Sequence, residues 1–255
     1  MVINAVCEKT GQAEALRGVK GLNRIYSPEN ILPYVFRNED ADKCDIMLNK
    51  PYLLIRNPDE IGYLKDRGYD GEIVADHSVY TFNSLSEKLL KDLGVSSDTA
   101  PLELNFHELR ARGVSESELM VYGRIPMMIS AGCLYKDSHN DKCFKYTEEG
   151  KKFLEINDLK HEIMIKDRMK AGFPVICDCR FCYNILLNSV PLSLHSEWDK
   201  VKKLSPGSVR LYFTTEKAEE AKEIARFFVA YNSDRRSFEA PFKASTKGHF
   251  IKGVM

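Results

Sequence analysis

The chain has no run of about 18 apolar residues, so nothing in it reads as a membrane-spanning helix. Its start, MVINAVCEKTGQ, lacks the basic opening and long apolar stretch of a signal peptide, and a cytoplasmic location is the expectation. It has no excess of either charge: 37 Lys+Arg stand against 37 Asp+Glu, which excludes a globally basic nucleic-acid binder and leaves only a local patch open. No G-x-S-x-G, H-E-x-x-H, P-loop or G-x-G-x-x-G segment occurs. Serine hydrolase, zincin, P-loop enzyme and Rossmann-type dehydrogenase are thereby disfavoured. No low-complexity stretch, internal repeat or linker divides the 255 residues. What is there is ordinary globular composition, 44% hydrophobic and 29% charged, in a chain long enough to bury a sizeable core.

Short apolar runs alternate with helical patterns, which is the rhythm of α/β folding. The strand candidates are VINAVC (2–7), RIYSP (24–28), DIMLN (45–49), EIVAD (72–76), APLELN (100–105), ELMVYG (118–123), VPLSL (190–194) and SVRLYF (208–213). Between them lie helix signals. Asn57-Pro58-Asp59-Glu60 supplies an N-cap, a first-turn proline and acidic residues, with Gly68 as the stop. Ser84-Leu85-Ser86-Glu87 opens a second helix, with Leu85, Leu89 and Leu93 on one face. Glu216, Glu219 and Glu220 lead into a closing helix with an apolar face of Ala221, Ile224, Ala225 and Phe228. Eight strand–helix units predict an irregular (β/α)8 TIM-barrel-like domain over 1–230, with an open doubly wound sheet as the alternative. A cysteine-rich insertion, about 126–189, separates units six and seven, and residues 231–255 form a basic tail.

The insertion holds Cys133, Cys143, Cys177, Cys179 and Cys182, and only Cys7 and Cys44 lie outside it. Seven thiols in an unsecreted chain read as free cysteines or metal ligands rather than a disulfide framework. Cys179-Arg-Phe-Cys182 is a C-x-x-C pair, which lets two thiolates reach one metal from one turn, and Cys133 with Cys143 could supply the second pair. Four sulfurs suit an iron–sulfur cluster or zinc, with Cys177 the competing ligand. Buried free cysteines are the plainer reading, good for Cys7 and Cys44. A cysteine nucleophile served by His139, His161 or His195 is a third.

The segment Glu118-Leu-Met-Val-Tyr-Gly-Arg-Ile-Pro-Met-Met-Ile-Ser-Ala-Gly-Cys133 resembles the signature of the collagenase-like peptidases, family thirty-two of the peptidases of unknown catalytic type. Glu118, Gly123, Ile125 and Cys133 match; Met120, Arg124, Pro126 and Ala131 depart from the pattern, Pro126 standing where the family has its first cysteine. Further likenesses are Asp76 to Asn83, Pro101-Leu-Glu103-Leu, Lys166-Asp-Arg168 with Phe173-Pro-Val, Cys179 to Asn188, and Thr246 to Gly253. The opening glycine-rich strand of the family is absent, so the chain looks like a C-terminal module of a longer member, working with an N-terminal module or partner subunit.

Several members of this family resemble iron–sulfur proteins that act in hydroxylation of RNA bases or of ubiquinone precursors. The resemblance thus implies a 4Fe-4S cluster on Cys133, Cys143, Cys179 and Cys182, with RNA or a small anionic molecule as substrate. It also implies a barrel-mouth site of Asp76, Asn83, Glu103 and Arg124. A protease, or a non-catalytic barrel module, is the alternative. From the residues alone, Arg124 offers a planar fork for an anion and His77 a base near neutral pH, while an ion pair and a packing role are their plainer readings. The tail's Arg235, Arg236, Lys243, Lys247 and Lys252, interleaved with Phe238, Phe242 and Phe250, suggest stacking on single-stranded RNA or docking onto the barrel.

Overall fold

The protein is described by a computed structural model covering residues 1–155, 160–233 and 239–254. Its strands are β1 (Ile3–Cys7), β2 (Arg24–Tyr26), β3 (Tyr52–Ile55), β4 (Glu72–Ala75), β5 (Ser97–Thr99), β6 (Ser117–Gly123), β7 (Pro126–Ser130), β8 (Lys160–Lys166), β9 (Gly172–Asp178), β10 (Tyr183–Leu187), β11 (Leu192–Ser193) and β12 (Ser208–Phe213). The helices are α1 (Thr10–Leu16), α2 (Ala41–Cys44), α3 (Asp59–Asp66), α4 (Ser84–Asp92), α5 (Phe106–Arg112), α6 (Leu134–Ser138), α7 (Glu148–Glu155), α8 (Trp198–Leu204) and α9 (Ala218–Ser233). The chain divides into two units, Met1–Gly123 with Leu192–Met255, and Arg124–Pro191.

The first unit is built on a parallel sheet ordered β2-β1-β12-β6-β5-β4-β3. Just beyond β2, Ile31 bridges Leu54 of β3, and the Leu32 amide donates to the Leu54 carbonyl at 2.9 Å. The two edges therefore nearly meet, and the sheet is a nearly closed barrel of seven parallel strands among the described residues. Burial on both faces accounts for the apolar runs that make β1, β6 and β12 visible in the sequence. Ala221, Ile224, Ala225 and Phe228 of α9 are buried, as the 3.6-residue period predicts.

Three of the eight expected strands need correction. DIMLN lies on a helical turn after α2, with Cys44 and Met47 buried three residues apart and Ile46 exposed; the strand is the following YLLI of β3. APLELN is the link into α5, and its strand is the preceding polar Ser97-Asp98-Thr99, invisible to an apolar pattern because Asp98 is engaged by Thr81, Arg112 and Ser117. VPLSL contributes only the two-residue β11, antiparallel to β6. At the end of β6 the chain turns on Gly123, whose φ of +144° and close approach to the Tyr212 carbonyl leave no room for a side chain.

The C-terminal residues 239–254 pack on this unit. Phe250 is buried against Phe106, Phe242 lies 5.4 Å from the Tyr122 ring, and Thr246 bridges Leu192. The docking reading of the tail holds for those two phenylalanines; Asp234, Arg235, Arg236 and Phe238 fall outside the described residues. Among the described residues no helix is long and apolar enough to cross a membrane.

The second unit is an antiparallel sheet ordered β7-β10-β9-β8. Its four strands were not anticipated, because the edge strand KHEIMIK is mostly exposed and lacks a clean alternation. Val175 and Cys177 on β9 pack with Tyr135, Phe144 and Cys179 in a small apolar cluster. Ile163 and Leu186 flank it.

Candidate metal centre

Five cysteines of the second unit line one cavity of about 200 Å³: Cys133, Cys143, Cys177, Cys179 and Cys182. Local chemistry brings them there. Cys133 precedes α6 and Cys143 precedes the short helical turn Phe144–Tyr146, both with extended backbones. Cys177 is within β9, and Cys179 and Cys182 occupy the tight turn into β10. Asp178 shapes that turn, its Oδ1 accepting from the amides of Arg180 at 3.1 Å and Phe181 at 3.4 Å, and Cys182 takes a left-handed φ of 55°. The same segment had stood out in the sequence as C-x-C-x-x-C. All seven cysteines are free thiols, and Cys7 and Cys44 are buried in the first unit.

Burial pushes the Cys177 thiol up to about 12, with Cys133 adding to the shift, and pushes Cys179 to about 12 with Cys177, Asp178, Cys133 and Cys143 adding. Cys182 is exposed, and its sulfur receives a hydrogen bond from the Lys145 ammonium at 3.4 Å. Lys136, Asp178, Tyr183 and Asn184 complete the lining. Burial keeps the Cys177 and Cys179 thiols protonated unless a cation displaces the protons, and sulfur is the donor that zinc, cuprous copper and iron–sulfur clusters prefer. Among the described residues no three His, Cys, Asp or Glu side chains are placed to hold a bare ion. Three sulfurs on one zinc would stand about 3.8 Å apart, given tetrahedral bonds of about 2.3 Å. Here the five cysteines line one cavity of about 200 Å³.

The four residues expected at a barrel mouth occupy separate neighbourhoods. Asp76 is buried at the end of β4, where Arg56 Nε lies 3.0 Å, Arg210 Nη1 2.7 Å and His77 Nδ1 2.9 Å from its carboxylate. Burial alone would raise its pKa, but His77, Arg210 and Arg56 outweigh that and hold it well below the usual carboxylate range. Asn83 is exposed and caps α4, its Oδ1 accepting from Leu85 and Ser86 amides, both at 3.0 Å. Glu103 lies in the link between β5 and α5, half-buried, and its Oε2 has no hydrogen-bond partner among the described residues. Arg124 opens the second unit and donates to the carbonyls of Asn188 at 2.9 Å and Ser189 at 2.5 Å, so its fork is committed to backbone.

The charged group that does assemble in the barrel is one the sequence reading missed. Arg56 pairs with Glu8 and Asp76; Arg210 pairs with Asp76 and Glu118; Tyr212 donates to Glu8 at 2.8 Å; and Asn4 donates to Glu118. All seven side chains are buried. Their sequence signal was a charge next to or inside an apolar strand, as in SVRLYF, ELMVYG and INAVCE.

The histidines offered as bases are occupied. His139 stacks on Tyr135 with ring centroids 4.0 Å apart, and His161 meets Tyr135 edge to face and lies tilted against Phe144. His195 Nδ1 lies 2.8 Å from Ser193 Oγ, but Ser193 is fully buried and the imidazole packs among Phe227, Tyr231 and Phe242. Burial, then Lys247, lowers the His195 pKa. Compared with known proteins, the chain matches no family model, no curated protein and no solved structure.

Proposed function

We propose that the chain is an iron–sulfur protein of the collagenase-like peptidase type, holding its cluster on Cys133, Cys143, Cys179 and Cys182. Its reaction class is hydroxylation or related modification of RNA bases or of a small aromatic precursor. The observation that carries the cofactor is the cavity itself: thiols from segments up to 49 positions apart in sequence line one space of about 200 Å³. A cluster fits that donor set better than zinc does, because each iron takes its thiolate at a separate corner and the sulfurs need not crowd one point. Cys177 is the spare thiol. It sits within β9, one residue before the strand's end, opposite His161 and Asn184 in register, whereas Cys179 and Cys182 come from a turn.

When bound, the cluster supplies one-electron transfer. The protein's own part is to hold four thiolates, shield them with Tyr135 and Phe144, and place the Lys136 and Lys145 ammonium groups beside an anionic centre. The substrate class rests on the sequence resemblance.

The test is anaerobic purification followed by iron, acid-labile sulfide and zinc analysis. A brown protein with matched iron and sulfide is expected. A colourless protein carrying zinc would replace the cluster with a structural zinc site, and a colourless protein with neither metal would overturn the proposal. The purified chain is also expected not to cleave denatured collagen. Cleavage by the purified chain that is lost on changing Glu103 or His77 would reinstate the peptidase reading.

A further inference from the structure

We infer that Lys145 is a positioning residue of the metal centre, holding the sulfur of the exposed ligand Cys182 and raising the cluster's reduction potential. The inference rests on the iron–sulfur reading above. Its basis is the aim of one side chain. In the turn Phe144–Tyr146, Phe144 is 1% exposed and anchored in the apolar cluster, Tyr146 is 80% exposed, and Lys145 between them lines the cavity. The turn is fixed from two sides. Thr147 Oγ1 donates to the Phe144 carbonyl at 2.8 Å and accepts from the Gly150 amide at 2.9 Å, and a Cβ on Gly150 would collide with that carbonyl oxygen. A lysine on an unconstrained loop would sample solvent; here its Nζ is 3.4 Å from Cys182 Sγ.

Cys182 needs such a partner more than the other thiols do. Cys177 and Cys179 are enclosed by protein and Cys133 and Cys143 are half-buried, but Cys182 is exposed on a left-handed residue, so its sulfur is the most open to solvent of the five. An N–H group pointed at a ligand sulfur draws off part of its charge, and an ammonium adds a full positive charge nearby. Reduction takes one electron from a low-potential reductant, forms and breaks no bond, and makes an already anionic four-thiolate centre more negative. The reduced state therefore gains more from the ammonium than the oxidised state, and the potential rises.

The experiment is a dithionite titration of anaerobically purified protein, followed by electron paramagnetic resonance, with iron content measured on each sample. The samples are wild type, Lys145→Met and Lys145→Arg. Lys145→Met is expected to keep its iron and titrate at a more negative midpoint, and Lys145→Arg to return toward wild type. Equal midpoints at equal iron content would overturn the inference and leave the iron–sulfur reading standing. Should Lys145→Met lose its iron, retention by Lys145→Arg supports the charge–sulfur contact, and loss in both overturns it. Wild type without iron or sulfide overturns the reading, and this inference with it.

Discussion

Asp76 is a carboxylate that no apolar interior would tolerate alone; two guanidiniums and an imidazole surround it. Replacing it by Asn leaves Arg56 and Arg210 each short of a partner charge in a buried place. The variant should lose about 3–5 kcal/mol of stability, read as a lower urea midpoint. Because the folded pKa of Asp76 lies below its unfolded value, its contribution is present above about pH 4 and is lost as pH falls further. The buried thiols have the opposite sign. Cys177 and Cys179 ionise near 9 in the unfolded chain but only at about 12 when folded, so the protonated folded form is favoured. Metal-free protein should keep that stability below pH 9 and lose it progressively as pH rises from about 9 to about 12, with Cys177→Ala flattening the alkaline limb.

Helix α4 separates apolar pattern from burial. The spacing of Leu85, Leu89 and Leu93 predicts a core-facing stripe, yet Leu85 is 77% and Leu89 58% exposed, and Leu90 is the buried leucine. Periodicity reports that a helix has an apolar face, and the packing decides which residue meets the core. Leu90→Ala should therefore cost about 2–5 kcal/mol and Leu89→Gln less than about 0.5 kcal/mol in the same denaturation assay. The N-cap also falls one residue earlier than the expected Ser84. Asn83→Ala should cost about 1 kcal/mol through loss of that cap; it leaves the second unit's thiol cavity untouched.

At the scale of the whole molecule, a metal on the second unit should act locally. Hydrogen exchange on iron-loaded and iron-free protein should show the amides of 177–184 slowed by about tenfold or more on loading, because ligand bonds stabilise only the folded turn. Amides of β1, β6 and β12 should change little. Equal protection of the turn in both samples would count against metal binding there. The sequence by itself determined the α/β alternation, β1, β2, β4, β6 and β12, the stop of α3 at Gly68, and the gathering of five cysteines in one insertion. Those features are local: a period, a cap or a spacing is complete within a few residues. Only the tertiary structure decided that the nearly closed barrel has seven parallel strands among the described residues, that Asp98 rather than an apolar run marks β5, and that the insertion forms its own sheet. It also decided that Asp76 belongs with Glu8, Arg56, Arg210 and Glu118, residues up to 202 positions apart, while Asn83 and Arg124 serve other neighbours. A charge in an apolar strand announces that it needs a partner, but which partner it finds is set by strand order and register, and those exist only once the chain has closed on itself.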